Sequence, residues 1–193
     1  MTNRSRSADY PTMASGGRRV VAALACLAAL SVLVAVAAPT AGSAPARHEA
    51  SLVGLESSVL QRLNTIRARH GLVALHASSK LAAAAAQHSR EMAADGYFQH
   101  ESADGTAFFT RIARWYSANG YGYWAVGENL LWSSPSVDSG RALSMWMHSP
   151  EHRANILNGS WREIGVSAVH ATAGGTYGNR PVTIITTDFG VRR

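Results

Sequence analysis

The chain has 193 residues, of which 47% are hydrophobic and 16% charged. That balance excludes disorder over most of the length, and at about 150 residues per domain it predicts one domain with an appendage. One cysteine excludes an intramolecular disulfide and a Cys-rich zinc module. Four of the 18 basic and one of the 12 acidic side chains lie in the first 44 residues, so the net +6 falls to +3 over residues 45–193. A charge of +3 is too small to point to nucleic acid.

Arg4, Arg6, Arg18 and Arg19 form a positive start. Val20 to Ala38 follows without a charge, and then comes the small, helix-breaking run Pro39-Thr40-Ala41-Gly42-Ser43. This order is that of a secretory signal peptide over residues 1–38, with a linker over 39–50 and the folded domain over 51–193. The alternative is an uncleaved N-terminal membrane anchor, because 19 apolar residues just span a bilayer. Arg18-Arg19 raises the twin-arginine export route beside the general one. Cys26 lies inside the apolar run rather than at its end, which argues against lipid attachment there. Either reading puts residues 45–193 outside the cytoplasmic membrane, as a secreted or cell-envelope domain without a thiol.

Leu52, Leu55, Val59, Leu63 and Ile66 recur at helical spacing, predicting a helix to about His70 that Gly71 closes. Leu72–Leu75 reads as a short extended link. Ser78 or Ser79 caps a second helix, Lys80 to Asp95, which Gly96 stops. Its apolar face is Leu81, Ala85, His88 and Met92, so His88 reads as a buried, hydrogen-bonded histidine. Thr106 to Ala118 predicts a third helix with Phe109, Ile112, Ala113 and Tyr116 on one side. A Gly- and aromatic-rich passage then leads to Gly127-Glu128-Asn129-Leu130. Ser136 caps a fourth helix through His148, and Ser149 with Pro150 starts a fifth. The β-branched runs Glu163 to Val169 and Pro181 to Thr187 predict antiparallel strands joined through Ala173-Gly174-Gly175. Helices around a small sheet make an α+β or three-layer domain.

Several short motifs stand in order along this chain. They are Arg67…Gly71-Leu72…Leu75, His88-Ser89…Met92, Tyr97-Phe98-Gln99-His100, Asp104-Gly105 and Gly127-Glu128-Asn129. Trp146-Met147-His148-Ser149-Pro150-Glu151-His152-Arg153…Asn155-Ile156-Leu157, Ile164-Gly165-Val166 and Asp188-Phe189-Gly190 follow. Together they resemble the CAP superfamily, or SCP domain, in its compact disulfide-free bacterial branch, over roughly residues 55–190. The resemblance implies a three-layer α-β-α sandwich with a small central antiparallel sheet. It also implies an open cleft lined by a His/Glu/Glu/His tetrad that can hold a divalent metal. By motif the first His is His100, the first Glu is Glu128 and the last His is His152. The second Glu falls on Ser149, a departure that weakens metal affinity.

Two imidazoles and a carboxylate suit Zn²⁺ or another divalent metal, with a position left for water or ligand. Bound water becomes acidic in such a site. Taken one residue at a time, other roles are open: His100 bonding backbone, Glu128 pairing with Arg153, His152 on the surface. His148-Ser149-Pro150-Glu151-His152 also matches H-x-x-E-H, an inverted zinc-protease signature. That motif needs one continuous helix, and Pro150 breaks it. Tyr116, Tyr121, Tyr123, Trp124 and Trp132 read as a cluster around Glu128, able to stack on a sugar or apolar ligand or to pack the core. No nucleophile elbow or phosphate loop is present.

The leading expectation is a monomeric, secreted ligand-binding module for a small or lipidic ligand or a cell-envelope component. It engages no nucleic acid, and meets a membrane only through the N-terminal segment. One alternative is a metal-dependent extracellular hydrolase of peptide or cell-wall material, with Glu128 as general base. Another is a structural or adhesive envelope protein with a vestigial cleft. Fold alone cannot choose among them.

Overall fold

The structure is a computed structural model that describes residues 44–193, with side chains from Ser51 onward. The signal or anchor expected over residues 1–38, and Cys26 within it, lie outside the described residues. Among the described residues no helix is long and apolar enough to cross a membrane.

The first helix, α1, runs Ala44–Arg69 and so takes in part of the stretch read from composition as linker. Pro45 stands in its first turn, where the missing N–H is not needed. Gly71 follows with φ +70°, the left-handed turn that ends it. The expected extended link gives way to a two-residue strand, β1, at His76–Ala77. Helix α2 spans Ser79–Asp95, capped by Ser78 and closed by Gly96 at φ +71°, whose N–H reaches the Met92 carbonyl at 3.1 Å. It buries Leu81, Ala84, Ala85, His88, Ser89 and Met92 along one face.

The third helix is shorter than its periodicity suggests: α3 is Phe108–Ala113. The apolar stripe continues past the helix because Tyr116 is buried from the turn that follows. The Gly- and aromatic-rich passage is a ten-residue strand, β2, Trp124–Ser133. Helix α4 covers Ser139–His148, and its cap is Asp138, not Ser136: the carboxylate accepts from the Arg141 N–H at 2.9 Å. Helix α5 covers Pro150–Ile156 with Ser149 before it, as expected. Strands β3, Glu163–Ala173, and β4, Arg180–Arg192, are both longer than their β-branched cores.

The sheet order is β1-β3-β4-β2. The three long strands pair antiparallel, as expected, while β1 joins β3 in parallel and makes the sheet mixed. A parallel neighbour needs a long crossover, and everything from α2 to α5 supplies it.

Alternation along the strands sorts two faces. Leu131 of β2 and Ile185, Phe189 and Val191 of β4 pack with Val59, Leu63, Leu143, Trp146 and Ile156 from α1, α4 and α5. Leu130, Val182 and Ile184 pack with Met92 of α2. Val126 and Trp124 pack with Leu81, Ala84, Ile112 and Tyr116 on the α2–α3 side. Three layers result. Helix α2 lies so close to β3 that a Cβ at Gly165 would stand 2.1 Å from the Leu81–Ala82 backbone, so only glycine fits there.

Candidate functional site

The site is organised by two consecutive residues of β2. Strand alternation sends Glu128 to the α2–α3 side, with Val126 and Leu130, and Asn129 to the α4–α5 side, with Leu131. A carboxylate on a buried face needs partners. Glu128 finds two: His100 Nδ1–H donates to Oε1 at 2.8 Å, and the Arg111 guanidinium closes on Oε2. Its side chain is fully buried, while that of His100 is 46% exposed, so the ring leads from the core to the surface.

On the other side, Asn129 Nδ2 donates to the His152 carbonyl at 3.1 Å. Asn155 Nδ2 donates to the Glu128 carbonyl and to Asn129 Oδ1, each at 3.0 Å. These bonds hang α5, and His152 with it, on the strand. They also explain Gly127: a Cβ there would meet Asn155 Oδ1 at 2.8 Å and the Trp161 ring at 2.9 Å.

The hydrogen bond to Glu128, against burial, raises the His100 pKa above its ordinary 6.5. Burial and then the nearby His100 charge lower that of His152. Ser149 sits in the extended break between α4 and α5 (φ −94°, ψ 119°), half-buried, its hydroxyl making no capping bond. That break separates His148 from His152. His148 ends α4 with Nδ1 on the Ser144 carbonyl at 2.7 Å, so the two rings of the H-x-x-E-H string do not share one helix.

Two neighbours of Glu128 stand outside the expected set. Arg111, not Arg153, pairs with Glu128; beside Thr110 in a six-residue helix it carries no sequence signal that sets it apart from a solvent-facing arginine. Asp188 is the cross-strand partner of Glu128 in β4 and is fully buried. Burial, and then the Glu128 charge, raise its pKa well above 3.8.

Between 3.8 and its folded value Asp188 keeps a proton that the unfolded chain has released, so stability contributed by this group falls as pH rises. In thermal melts from roughly pH 4 to 8, Asp188→Asn is expected to gain on the wild type as pH increases. Parallel curves would remove the protonated Asp188.

The aromatic residues do not gather on Glu128. The Tyr116 hydroxyl donates to Glu163, Trp124 Nε1 to the Tyr116 carbonyl at 2.8 Å, and Trp132 packs edge-on against Tyr177. The Arg192 guanidinium lies over the rings of Tyr116 and Tyr121 at 4.0 and 4.9 Å, and that of Arg193 over Tyr123 at 4.8 Å. His88 is buried, as expected, with Nε2–H on the Gln99 carbonyl at 2.9 Å.

As arranged, the donors do not fit a three-ligand metal centre. Both Glu128 oxygens are engaged by His100 and Arg111, and His100 Nδ1 is engaged in return. Among the described residues no three His, Cys, Asp or Glu side chains form a group that could hold a metal ion. Two imidazoles remain.

Fold and site define a three-layer α+β sandwich with Glu128 and Asn129 on an edge strand of its sheet. The CAP family, described as the cysteine-rich secretory protein family, matches residues 60–189, and the chain belongs to it. It is 29% identical over 141 residues to "Uncharacterized protein YkwD" of Bacillus subtilis (strain 168), covering 68% of this chain and 52% of that one. It is 30% identical over 111 residues to "Uncharacterized membrane protein YlbC" of the same organism, covering 58% of this chain and 30% of that one. The chain thus spans about half of YkwD and less of YlbC.

Among solved structures, an extracellular protein containing a SCP domain from Bacillus anthracis str. Ames superposes with a TM-score of 0.61 at 27% identity. The match covers 79% of this chain and 45% of that one. An outer surface protein of Borrelia burgdorferi, at 18% identity, shows the same fold with a TM-score of 0.55, covering 70% of this chain and 90% of that one.

Proposed function

We propose that this chain is an extracellular or cell-envelope CAP module whose cleft binds a small or lipidic ligand or an envelope component through His100 and His152. The observation that carries the reading is the half-exposed His100 ring held by a fully buried carboxylate. With Nδ1 fixed on Glu128, the second ring nitrogen is left for a ligand. The extracellular and surface relatives, and the leader-like first 38 residues, support the location.

Amide and imidazole chemical-shift mapping of the purified chain tests this, using muropeptides, lysophospholipid and free acyl chains as probes. One of these classes is expected to move His100, Ser149 and His152 together, and His100→Ala to abolish the effect. Shifts confined to other surfaces would overturn the assignment. Zinc on the same samples is expected to bind weakly, as two imidazoles do, and to lose even that in His100→Ala and His152→Ala.

The His100–Glu128 pair favours a second reading, hydrolysis of peptide or cell-wall material. A buried carboxylate that orients an exposed imidazole is the arrangement of a general base. Glu128 has no free oxygen for substrate, so His100 is the base in that reading and Glu128 its positioning group. Turnover on a peptide and glycan panel that disappears in Glu128→Gln would establish it.

A further inference from the structure

The loop that carries His100 is pinned at two successive carbonyls by two buried side chains from different helices. His88 of α2 has no exposed surface, and its Nε2–H donates to the Gln99 carbonyl at 2.9 Å. Arg111 of α3 has none either, and its Nη1 donates to the His100 carbonyl at 2.9 Å and to Ser102 Oγ at 3.4 Å. The Nη2 of the same guanidinium holds Glu128, which holds the His100 ring. His100 is therefore fixed at its backbone and at its side chain by one planar group.

These bonds leave one nitrogen of each residue unsatisfied. His88 Nδ1 lies 3.7 Å from Glu91 Oε2, beyond hydrogen-bond distance, and Arg111 Nε is buried without a hydrogen-bond partner among the described residues. Leaving a buried donor or acceptor unmade is unfavourable, and an apolar side chain of similar volume at position 88 would pack α2 without it. The bonds that both residues make in common lie in the loop: His100 is exposed and Gln99 stands beside it at the surface, and little apolar burial orders them.

We propose that His88 and Arg111 are positioning residues of the cleft. They clamp the Gln99 and His100 carbonyls and so set the direction in which the free His100 ring nitrogen meets a ligand. Arginine is suited to this because its fork reaches the carbonyl and the carboxylate at once, which a lysine ammonium on one point cannot do. The inference rests on His100 as the ligand-contacting group, but its test needs no ligand.

Imidazole ¹⁵N–¹H spectra of the full chain report the Nδ1–H of His100 on Glu128. In folded His88→Leu, which loses one clamping bond, and Arg111→Ala, which loses the His100 and Ser102 bonds and the grip on Glu128, exchange of that proton with water is expected to be about tenfold faster or more, and amides 99–102 to lose protection. His88→Gln, whose amide can donate to the Gln99 carbonyl, is expected to restore both, as is guanidinium ion added to Arg111→Ala. If Arg111→Ala does not fold, the His88 pair decides alone. Unchanged exchange in folded His88→Leu, or a loss that glutamine does not recover, overturns the clamp. A chain that responds as expected yet binds none of the envelope probes overturns the functional reading and leaves the clamp standing.

Discussion

Glu128→Ala is expected to lower the free energy of unfolding by about 3–5 kcal/mol, the usual consequence of stranding one member of a buried ion pair. The stranded member is Arg111, which has no exposed surface. The same change removes the hydrogen bond that raises the His100 pKa, which then falls. A histidine with a raised folded pKa stabilises most below its unfolded value of 6.5 and loses that contribution as pH climbs through the folded one. The gap between wild type and variant is therefore widest in mild acid and narrows towards alkaline pH.

Asp188 complicates the milder change. It lies across the strand pair from Glu128 and can release its proton to face Arg111 once Glu128→Gln has removed the competing charge. The double change Glu128→Gln/Asp188→Asn is accordingly expected to destabilise by more than the sum of the single ones. Denaturant unfolding with a histidine titration by NMR measures all three quantities. A loss below about 1 kcal/mol in Glu128→Ala would mean that the Arg111 pair contributes as little as an exposed one.

Arg67→Ala is expected to be comparably severe for a different reason. Among the described residues this buried guanidinium pairs with no carboxylate; it donates to the carbonyls of Val73 at 3.0 Å, Ile156 at 2.8 Å and Asn158 at 2.9 Å. It thereby ties the end of α1 to the link that follows and to the end of α5. Three buried or part-buried carbonyls losing their partner amount to about 3–5 kcal/mol. At about 2–4 °C per kcal/mol for a chain of this size, the melting midpoint drops by roughly 10 °C. Arg67→Lys recovers little, since a point charge cannot serve three acceptors. The His152 ring signals are expected to stay unchanged, because Asn129 and Asn155 still hold α5 on β2. A shift of His152 in Arg67→Ala would show that the two ends of α5 are not independent.

Much of the frame was legible because its signals are local. Ser78, Gly71, Gly96 and the Ser149-Pro150 break act within one turn of helix, and each stands where its chemistry placed it. Strand β2 was hidden for the opposite reason. Glycine at 127, a carboxylate at 128 and an amide at 129 interrupt the alternation of apolar residues, and those three positions are the ones that build the site. The His100–Glu128 pair follows from the ordered family pattern alone, since no spacing in the chain says that residues 28 positions apart meet. Arg111 was not legible even so: an arginine in a six-residue helix reads as solvent-facing until the buried carboxylate opposite it is known. Asp188 was visible in its motif, but its protonation depends on a strand register that only the fold supplies.

The neighbouring positions of Glu128 and Asn129 have a consequence for how this surface tolerates change. The groups on one face of β2 answer to the first residue and those on the other face to the second, so the two anchor points are held about 3.8 Å apart between Cα atoms by a single peptide unit. Covalent geometry of that kind does not drift when distant helices creep or when core side chains are exchanged for others of similar volume. The offset between the two anchor points is thus insulated from the sequence around it. Helices and loops can diverge widely, provided that one dipeptide and the groups that grip it are kept.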